Sequence, residues 1–417
     1  MATIDDANLR DRFRRDGYVI LPDVVPSDRL ESLRTTVDEI VDRERQRNSD
    51  WDANPIPRAN IAELVDPSTA DILEFSLGET TFGVSQRALD RPAESVALSQ
   101  LLVLCNPEFE PAKPLPSGQQ WGTDPRNWHR DIRPDHDAPL SALLVDEAAN
   151  GPGYTQWNIA LYDDAILYVI PGSHRRLTSE VETVRLQAED GTQSPLDGSV
   201  CVELKAGAGV VYSSMLLHWG SKYTHRQKRR TLHFGYRSFG RYLPHQRECT
   251  LAQQVGDLLA TGTLESQRLA RSFELFRDEY TLIEEIFRAA IDDDAPRFDA
   301  GVQKLHPSSE GRLTCIILLS RIARNIYNLS RDHLDEVRIN SGTPSEAIVL
   351  QTNLSNRFSA EQLTQLWKRF GPLDDMLRSG EATHVSGFLG PPTEYTFEEL
   401  PCAMTTNSVL TAMFAAV

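Results

Sequence analysis

The tetrapeptide Trp128-His129-Arg130-Asp131 constrains the fold of this chain more than any other stretch. On an extended strand, residues i and i+2 point to the same face, so His129 and Asp131 can grip one ion from one side. A third ligand must then arrive from another strand, and His218 in Leu216-Leu217-His218-Trp219-Gly220 is the candidate. Two histidines and one carboxylate on one face of a metal leave the opposite positions open, which is the ligand set of non-haem Fe(II) oxygenases. The pair His333 and Asp335 has the same spacing but follows a helix-like run over 312–329, where i and i+2 diverge. It is expected at a solvated helix end.

The sequence around the tetrapeptide has the texture of strands. Residues 99–105 form a short apolar run, and 229–238 alternate over a long stretch. Between them, 156–162, 165–170, 199–204 and 209–213 are predicted strands, divided by turns such as Pro171-Gly172-Ser173 and Ala206-Gly207-Ala208. His218 is expected to close the hairpin that follows 209–213. Many short strands between Gly/Pro turns indicate a mostly β core, as a double-sheet jelly roll or barrel. N-terminal helices flank it: a polar one over 6–15 and, after a strand at 17–22, one opened by Ser27 as N-cap. The second helix sets Leu30, Leu33, Val37, Ile40 and Val41 at helical spacing. A weak helix is expected over 69–76. Residues 106–127 are dense in proline and glycine and run into Trp128, so they read as a lid over the site or a variable surface loop. Residues 133–154 read as a second loop.

Near residue 244 the pattern becomes helical. Leu269, Phe273, Phe276, Tyr280, Ile283, Phe287 and Ala290 alternate at steps of four and three. Such a seam packs in a core or joins two copies as a homodimer. Helices are also predicted over 311–329 and 359–370, with Ser359 as N-cap, and Gly371-Pro372 and Gly390-Pro391-Pro392 mark loops. The expected organisation is an oxygenase-type domain over 1–244 and a mostly helical region over 245–417.

With 417 residues there is room for both. A net charge of −17 argues against a nucleic-acid partner, since a polyanion binder is normally basic. The five cysteines are odd in number and lack a Cys-x-x-Cys pair, which argues against a disulfide framework and fits a reducing cytoplasm. The start of the chain has neither a basic nor an apolar leader segment, and apolar runs such as 159–170 are broken by charge and too short for a bilayer. No membrane association is expected.

Five pieces in order resemble the phytanoyl-CoA dioxygenase family of Fe(II)/2-oxoglutarate-dependent oxygenases. They are Phe13-Arg14-Arg15-Asp16-Gly17-Tyr18-Val19-Ile20, the tetrapeptide at 128–131, Leu167-Tyr168-Val169-Ile170-Pro171-Gly172-Ser173-His174-Arg175, Ala206-Gly207 leading to His218, and Arg229-Arg230-Thr231-Leu232-His233. The resemblance covers about the first 240 residues and says nothing of the rest. It implies a double-stranded β-helix, with Fe(II) held by His129, Asp131 and His218. It also implies an arginine on the next strand that binds the far carboxylate of 2-oxoglutarate. That position is Arg229, which would share its face with Thr231 and His233; Arg230, facing the other way with Leu232 and Phe234, is its rival. Trp219 stands where the family commonly has glycine, and a register shift there would favour Arg230. His174 is expected to brace a turn, His225 and His233 not to be ligands, Trp128 to pack beside the metal, and one of Trp157 and Asn158 to touch the cosubstrate.

The reaction so implied oxidises a C–H bond of a small molecule with O2 and releases succinate and CO2. Related halogenases lack the carboxylate, so Asp131 points to hydroxylation, desaturation or ring formation. Two other readings remain open: a cupin-like metal enzyme that does not use 2-oxoglutarate, and a non-catalytic interaction protein on a degenerate oxygenase fold.

Overall fold

Side chains of two sheets meet in this protein, and the elements around them are arranged to bring that about. The structure, a computed structural model, describes residues 6–49, 51, 57–106, 127–188, 194–221, 228–239, 259, 262–329, 354–390 and 392–414. Its strands are, in chain order, β1 (Tyr18–Leu21), β2 (Arg58–Asn60), β3 (Val96–Cys105), β4 (His129–Arg130), β5 (Tyr154–Ala160) and β6 (Asp164–Val169). They continue with β7 (Val200–Leu204), β8 (Gly209–Ser213), β9 (His218–Gly220), β10 (Arg230–Ser238), β11 (Arg378–Thr383), β12 (Gly387–Phe388) and β13 (Thr393–Tyr395).

The larger sheet has the order β1-β8-β5-β10-β3-β2 and its pairs are antiparallel. Alternation divides its two faces. Trp157 and Ile159 of β5, with Leu232, Phe234 and Tyr236 of β10, join one apolar cluster with Leu33, Val37 and Ile40 of the Leu30–Arg47 helix and Phe75 of the Asp71–Leu77 helix. The opposite face of the same strands carries Gln156, Asn158, Thr231 and His233. The smaller sheet has the order β12-β4-β9-β6-β7, antiparallel except for β12 against β4. Thr231 of β10 donates to Asp164 of β6 at 2.6 Å, and the Gln156 amide of β5 reaches Asp131, just past β4.

The expected β core is present as these two sheets, but helix outweighs strand, at 49% against 20% of the described residues. The strands are short, and one addition is the helix Leu140–Asn150, inside the stretch read as a loop. Its start carries no capping side chain. Instead Leu140 N and Ser141 N donate to the carbonyls of Phe397 and Glu398, each at 2.8 Å. The groups that cap its start lie far along the chain, while its local signals are the Leu/Ala-rich run and Gly151 at its end, at φ +75°.

Three other expectations shift. Ser27 is not an N-cap: the helix begins at Leu30, after a turn in which Arg29 N donates to Pro26 O at 2.9 Å. His218 does not close a hairpin with β8. β8 belongs to the larger sheet, and β9 pairs β6 and β4 in the smaller one. Gly371-Pro372 is not a loop but lies inside the helix Ala360–Met376. Pro372 removes one helical hydrogen bond, and burial of Leu373 and Asp374 beyond it carries the helix through.

Ser359 does cap that helix, in a reciprocal box with Gln362. The seam residues Leu269, Phe276, Ile283, Phe287 and Ala290 are buried within the chain, on the long helix Leu264–Ile291. Helices Ala295–Leu305, Arg312–Leu329 and Thr406–Phe414 and the pair β11-β13 complete the C-terminal region. No helix among the described residues is long and apolar enough to cross a membrane. The His333/Asp335 pair, His225, Cys249, residues 107–126 of the expected lid and the composition change near 244 lie outside the described residues.

Candidate metal centre

β4 and β9 are adjacent and antiparallel, with His129 directly opposite His218. Asp131 follows β4, and its N–H donates to Ser214 O at 2.8 Å, which ties the bend to the turn before β9. His129 Nε2 lies 3.6 Å from one Asp131 oxygen and His218 Nε2 lies 3.5 Å from the other. One ligand atom from each of the three residues falls within 4.8 Å of the others.

Both rings are oriented from behind. His129 Nδ1 is 2.6 Å from Asn127 O and His218 Nδ1 is 2.8 Å from Leu216 O. A carbonyl accepts only, so each Nδ1 carries a proton and each Nε2 is turned toward Asp131. His129 Nε2 is buried and makes no hydrogen bond among the described residues. A buried ring nitrogen without a hydrogen-bond partner beside a carboxylate fits a metal cation.

Burial by itself raises the Asp131 carboxyl, but the neighbouring His218 and His129 and the Gln156 amide outweigh it and hold the group well below the usual carboxylate range. Gln156 was not foreseen from the sequence. Its Nε2 donates to the Asp131 oxygen nearer His218. The one available signal was alternation on β5, which puts Gln156 and Asn158 on the face opposite Trp157.

The remaining candidates divide between the two faces. Arg229 is buried just before β10, its N–H on Asn106 Oδ1 at 2.7 Å and its Nε on Asp164 Oδ2 at 2.8 Å. Its terminal nitrogens make no hydrogen bond among the described residues. Burial favours the neutral Asp164 carboxyl, yet Arg229 and the Thr231 hydroxyl hold it below its ordinary range. His233 Nδ1 meets Asn158 Oδ1 at 2.8 Å on that same face. Arg230 faces the helices: its Nε donates to Asp38 Oδ1 at 2.8 Å. Trp157 is in the helix-covered core, with Nε1 on Ser85 Oγ at 2.8 Å. Trp128 stacks on Trp219 with ring centroids 5.7 Å apart, in a cluster with Ile170, Leu186, Leu196 and Leu217, and Nε1 donates to Ser194 O. His174 reaches back 3.2 Å to Arg14 O and holds the Ser173–Arg175 turn against the end of the first helix. Gly17 makes that approach feasible, since at φ +82° a Cβ there would lie 2.5 Å from His174 Nδ1.

Two histidines and a carboxylate thus converge with one ligand atom of each within 4.8 Å of the others, a donor set suited to one metal ion. The description "Phytanoyl-CoA dioxygenase (PhyH)" matches residues 13–231, and the chain belongs to that family. No curated protein matches. Among solved structures, AviO1 from Streptomyces viridochromogenes Tue57 is 19% identical, over 57% of this chain and 97% of its own, with a TM-score of 0.39. EvdO2 from Micromonospora carbonacea var. aurantiaca, complexed with 2-oxoglutarate, is 18% identical over 57% of this chain and 92% of its own, with a TM-score of 0.38. The epimerase SnoN, in complex with Fe3+, alpha ketoglutarate and nogalamycin RO, is 17% identical over 56% and 84%, with a TM-score of 0.39.

Proposed function

We propose that this protein is an Fe(II)- and 2-oxoglutarate-dependent oxygenase that oxidises, by hydroxylation in the first instance, a C–H bond of a small molecule. The observation that carries the reading is the convergence of His129 Nε2, His218 Nε2 and the Asp131 carboxylate, with each Nδ1 turned away onto a backbone carbonyl. His129, Asp131 and His218 would hold the iron. When bound, iron supplies the oxidising chemistry, coupled to breakdown of 2-oxoglutarate to succinate and CO2.

The chain's own side chains have positioning tasks. Asp131 stays ionised and brings negative charge to the cation. The two Nδ1–H bonds fix which ring nitrogens face inward. Arg229 is the proposed anchor for the far carboxylate of 2-oxoglutarate: Asp164 holds its Nε and leaves a planar fork of donors available. Arg230 is engaged with Asp38 on the other face, which supports Arg229 over its rival. The same proposal takes residues 1–244 as the oxygenase unit and 245–417 as a helical addition, in a cytoplasmic enzyme.

An anaerobic titration with Fe(II) and 2-oxoglutarate tests this reading. The expected result is a visible metal-to-ligand charge-transfer band that needs both components and is lost in His129→Ala. Absence of the band in the wild-type protein, with no succinate released from any candidate substrate, overturns it.

A further inference from the structure

We infer that the C-terminal region, which lies outside the family match at 13–231, is a strap that positions the metal ligands His129 and Asp131. This rests on the metal-centre reading above. β4 is two residues long and has a neighbour on each side. On one side is β9 with His218; on the other is β12, in parallel, with Gly387 opposite His129 and Phe388 opposite Arg130. The contact continues past Asp131, where Leu389 N donates to Ile132 O at 2.9 Å. A two-residue strand has little pairing of its own, so a partner on each edge decides where it sits.

The segment that follows Asp131 is gripped by the same region. Arg321, on the Arg312–Leu329 helix, points its Nη2 at Pro134 O at 3.5 Å and its Nε at Asp137 O at 3.4 Å. Its Nη1 meets Asp374 at 3.0 Å. One turn on, Arg324 donates to Asp135 O. Asp374 is fully buried and also accepts from Arg378 at 3.0 Å and from the Tyr395 hydroxyl at 2.8 Å. The guanidinium of Arg321 lies 4.0 Å from the Tyr395 ring centroid and that of Arg324 lies 4.7 Å from it. Arg321 and Asp374 are 1% and 0% exposed as side chains. Buried ion pairs often add little net stability against an apolar replacement; this one ties Arg321 to Asp374 while the same guanidinium faces two carbonyls. Those carbonyls lie three and six residues after Asp131.

Arg321 is thus a positioning residue, and its test reads metal binding rather than turnover. Apo wild-type protein, Arg321→Lys and Arg369→Lys are titrated anaerobically with Fe(II) in the presence of 2-oxoglutarate, with thermal unfolding of each apo protein as the folding control. Lysine keeps the charge against Asp374 but cannot fork to two carbonyls. Arg369 pairs with Asp293 elsewhere in the region and serves as the comparison. The expected result is a rise of about tenfold or more in the Fe(II) needed for half-saturation in Arg321→Lys, a shifted charge-transfer band, and no change in Arg369→Lys. Equal affinity in all three, or equal weakening in both variants, overturns the strap. If Arg321→Lys does not fold, Leu389→Pro, which removes the N–H given to Ile132 and fixes the backbone at 389, is read by the same criteria with its own apo unfolding control. No band in the wild-type protein would instead sink the metal-centre reading itself.

Discussion

His129 sits directly opposite His218 across an antiparallel strand pair, with ring centroids 4.4 Å apart. Each ring gives its Nδ1 proton to a carbonyl two residues earlier in its own chain segment. The two rings are therefore aimed by local backbone and brought together by sheet register. Replacing either ring with alanine should weaken metal binding by more than about 100-fold, beyond the usual effect of losing a supporting group. The apo variants should still fold, at a somewhat lowered unfolding temperature, because each loses a buried ring and its Nδ1–H bond to a backbone carbonyl. Metal titration paired with thermal unfolding checks both halves. Near-normal metal affinity in both alanine variants would remove these histidines as ligands.

Gln156 holds the Asp131 oxygen nearer His218 from the opposite sheet. Gln156→Leu should weaken metal binding roughly 10- to 100-fold. Gln156→Asn, one methylene shorter, should recover part of that loss only if the amide can still reach. A folded Gln156→Leu protein that binds metal as tightly as wild type would show that the amide does not orient the carboxylate.

Much of the candidate site is legible because its residue types cluster in short motifs. His129 and Asp131 share a motif, and strand alternation alone predicts their common face. The company each would keep, polar against apolar, favours Arg229 and leaves Arg230 open; in the structure Arg229 meets Asp164 and Arg230 meets Asp38. Gln156 and Asp164 were silent, because each acquires its task only when the two sheets meet. β12 was silent for another reason: Gly387-Phe388 is too short to show a period, and its partner lies far back in the chain. The helix Leu140–Asn150 carries helix formers and a closing Gly151, and only its start, held by the carbonyls of residues 397 and 398, has no local signal. Pro372 misled in the opposite sense, since a local breaker was overruled by burial on both sides.

Arg229 offers a test that separates cosubstrate binding from structure. Arg229→Lys keeps a cation near Asp164 but loses the fork, so half-saturation with 2-oxoglutarate should rise roughly tenfold or more. Arg230→Lys, on the helix side with Asp38, should leave the 2-oxoglutarate requirement within about twofold of wild type while lowering stability by about 1 kcal/mol. Succinate release measured against 2-oxoglutarate concentration distinguishes them. The reverse ranking would transfer the anchor to Arg230.

Two groups away from the ligands should shape stability against pH in opposite senses. Burial pushes the Asp137 carboxyl up to about 7 from an ordinary 3.8, although Arg133 N donates to it at 2.8 Å. The folded state thus keeps a proton that the unfolded chain gives up. Its contribution is fully present below pH 3.8 and is lost as pH rises through 7. Asp137→Asn, still an acceptor for Arg133 N, should be no more stable than wild type near pH 4 and more stable at pH 8, with a ceiling of about 4 kcal/mol. His174 runs the other way: burial lowers it to about 4, so its contribution is present above its ordinary 6.5 and is lost as pH falls through 4. His174→Gln, which keeps a donor for Arg14 O, should flatten the acid side of the profile and leave pH 8 unchanged. Denaturant unfolding of both variants between pH 4 and pH 8 checks the signs, and an Asp137→Asn advantage that is constant across that range would rule out a titrating carboxyl at 137.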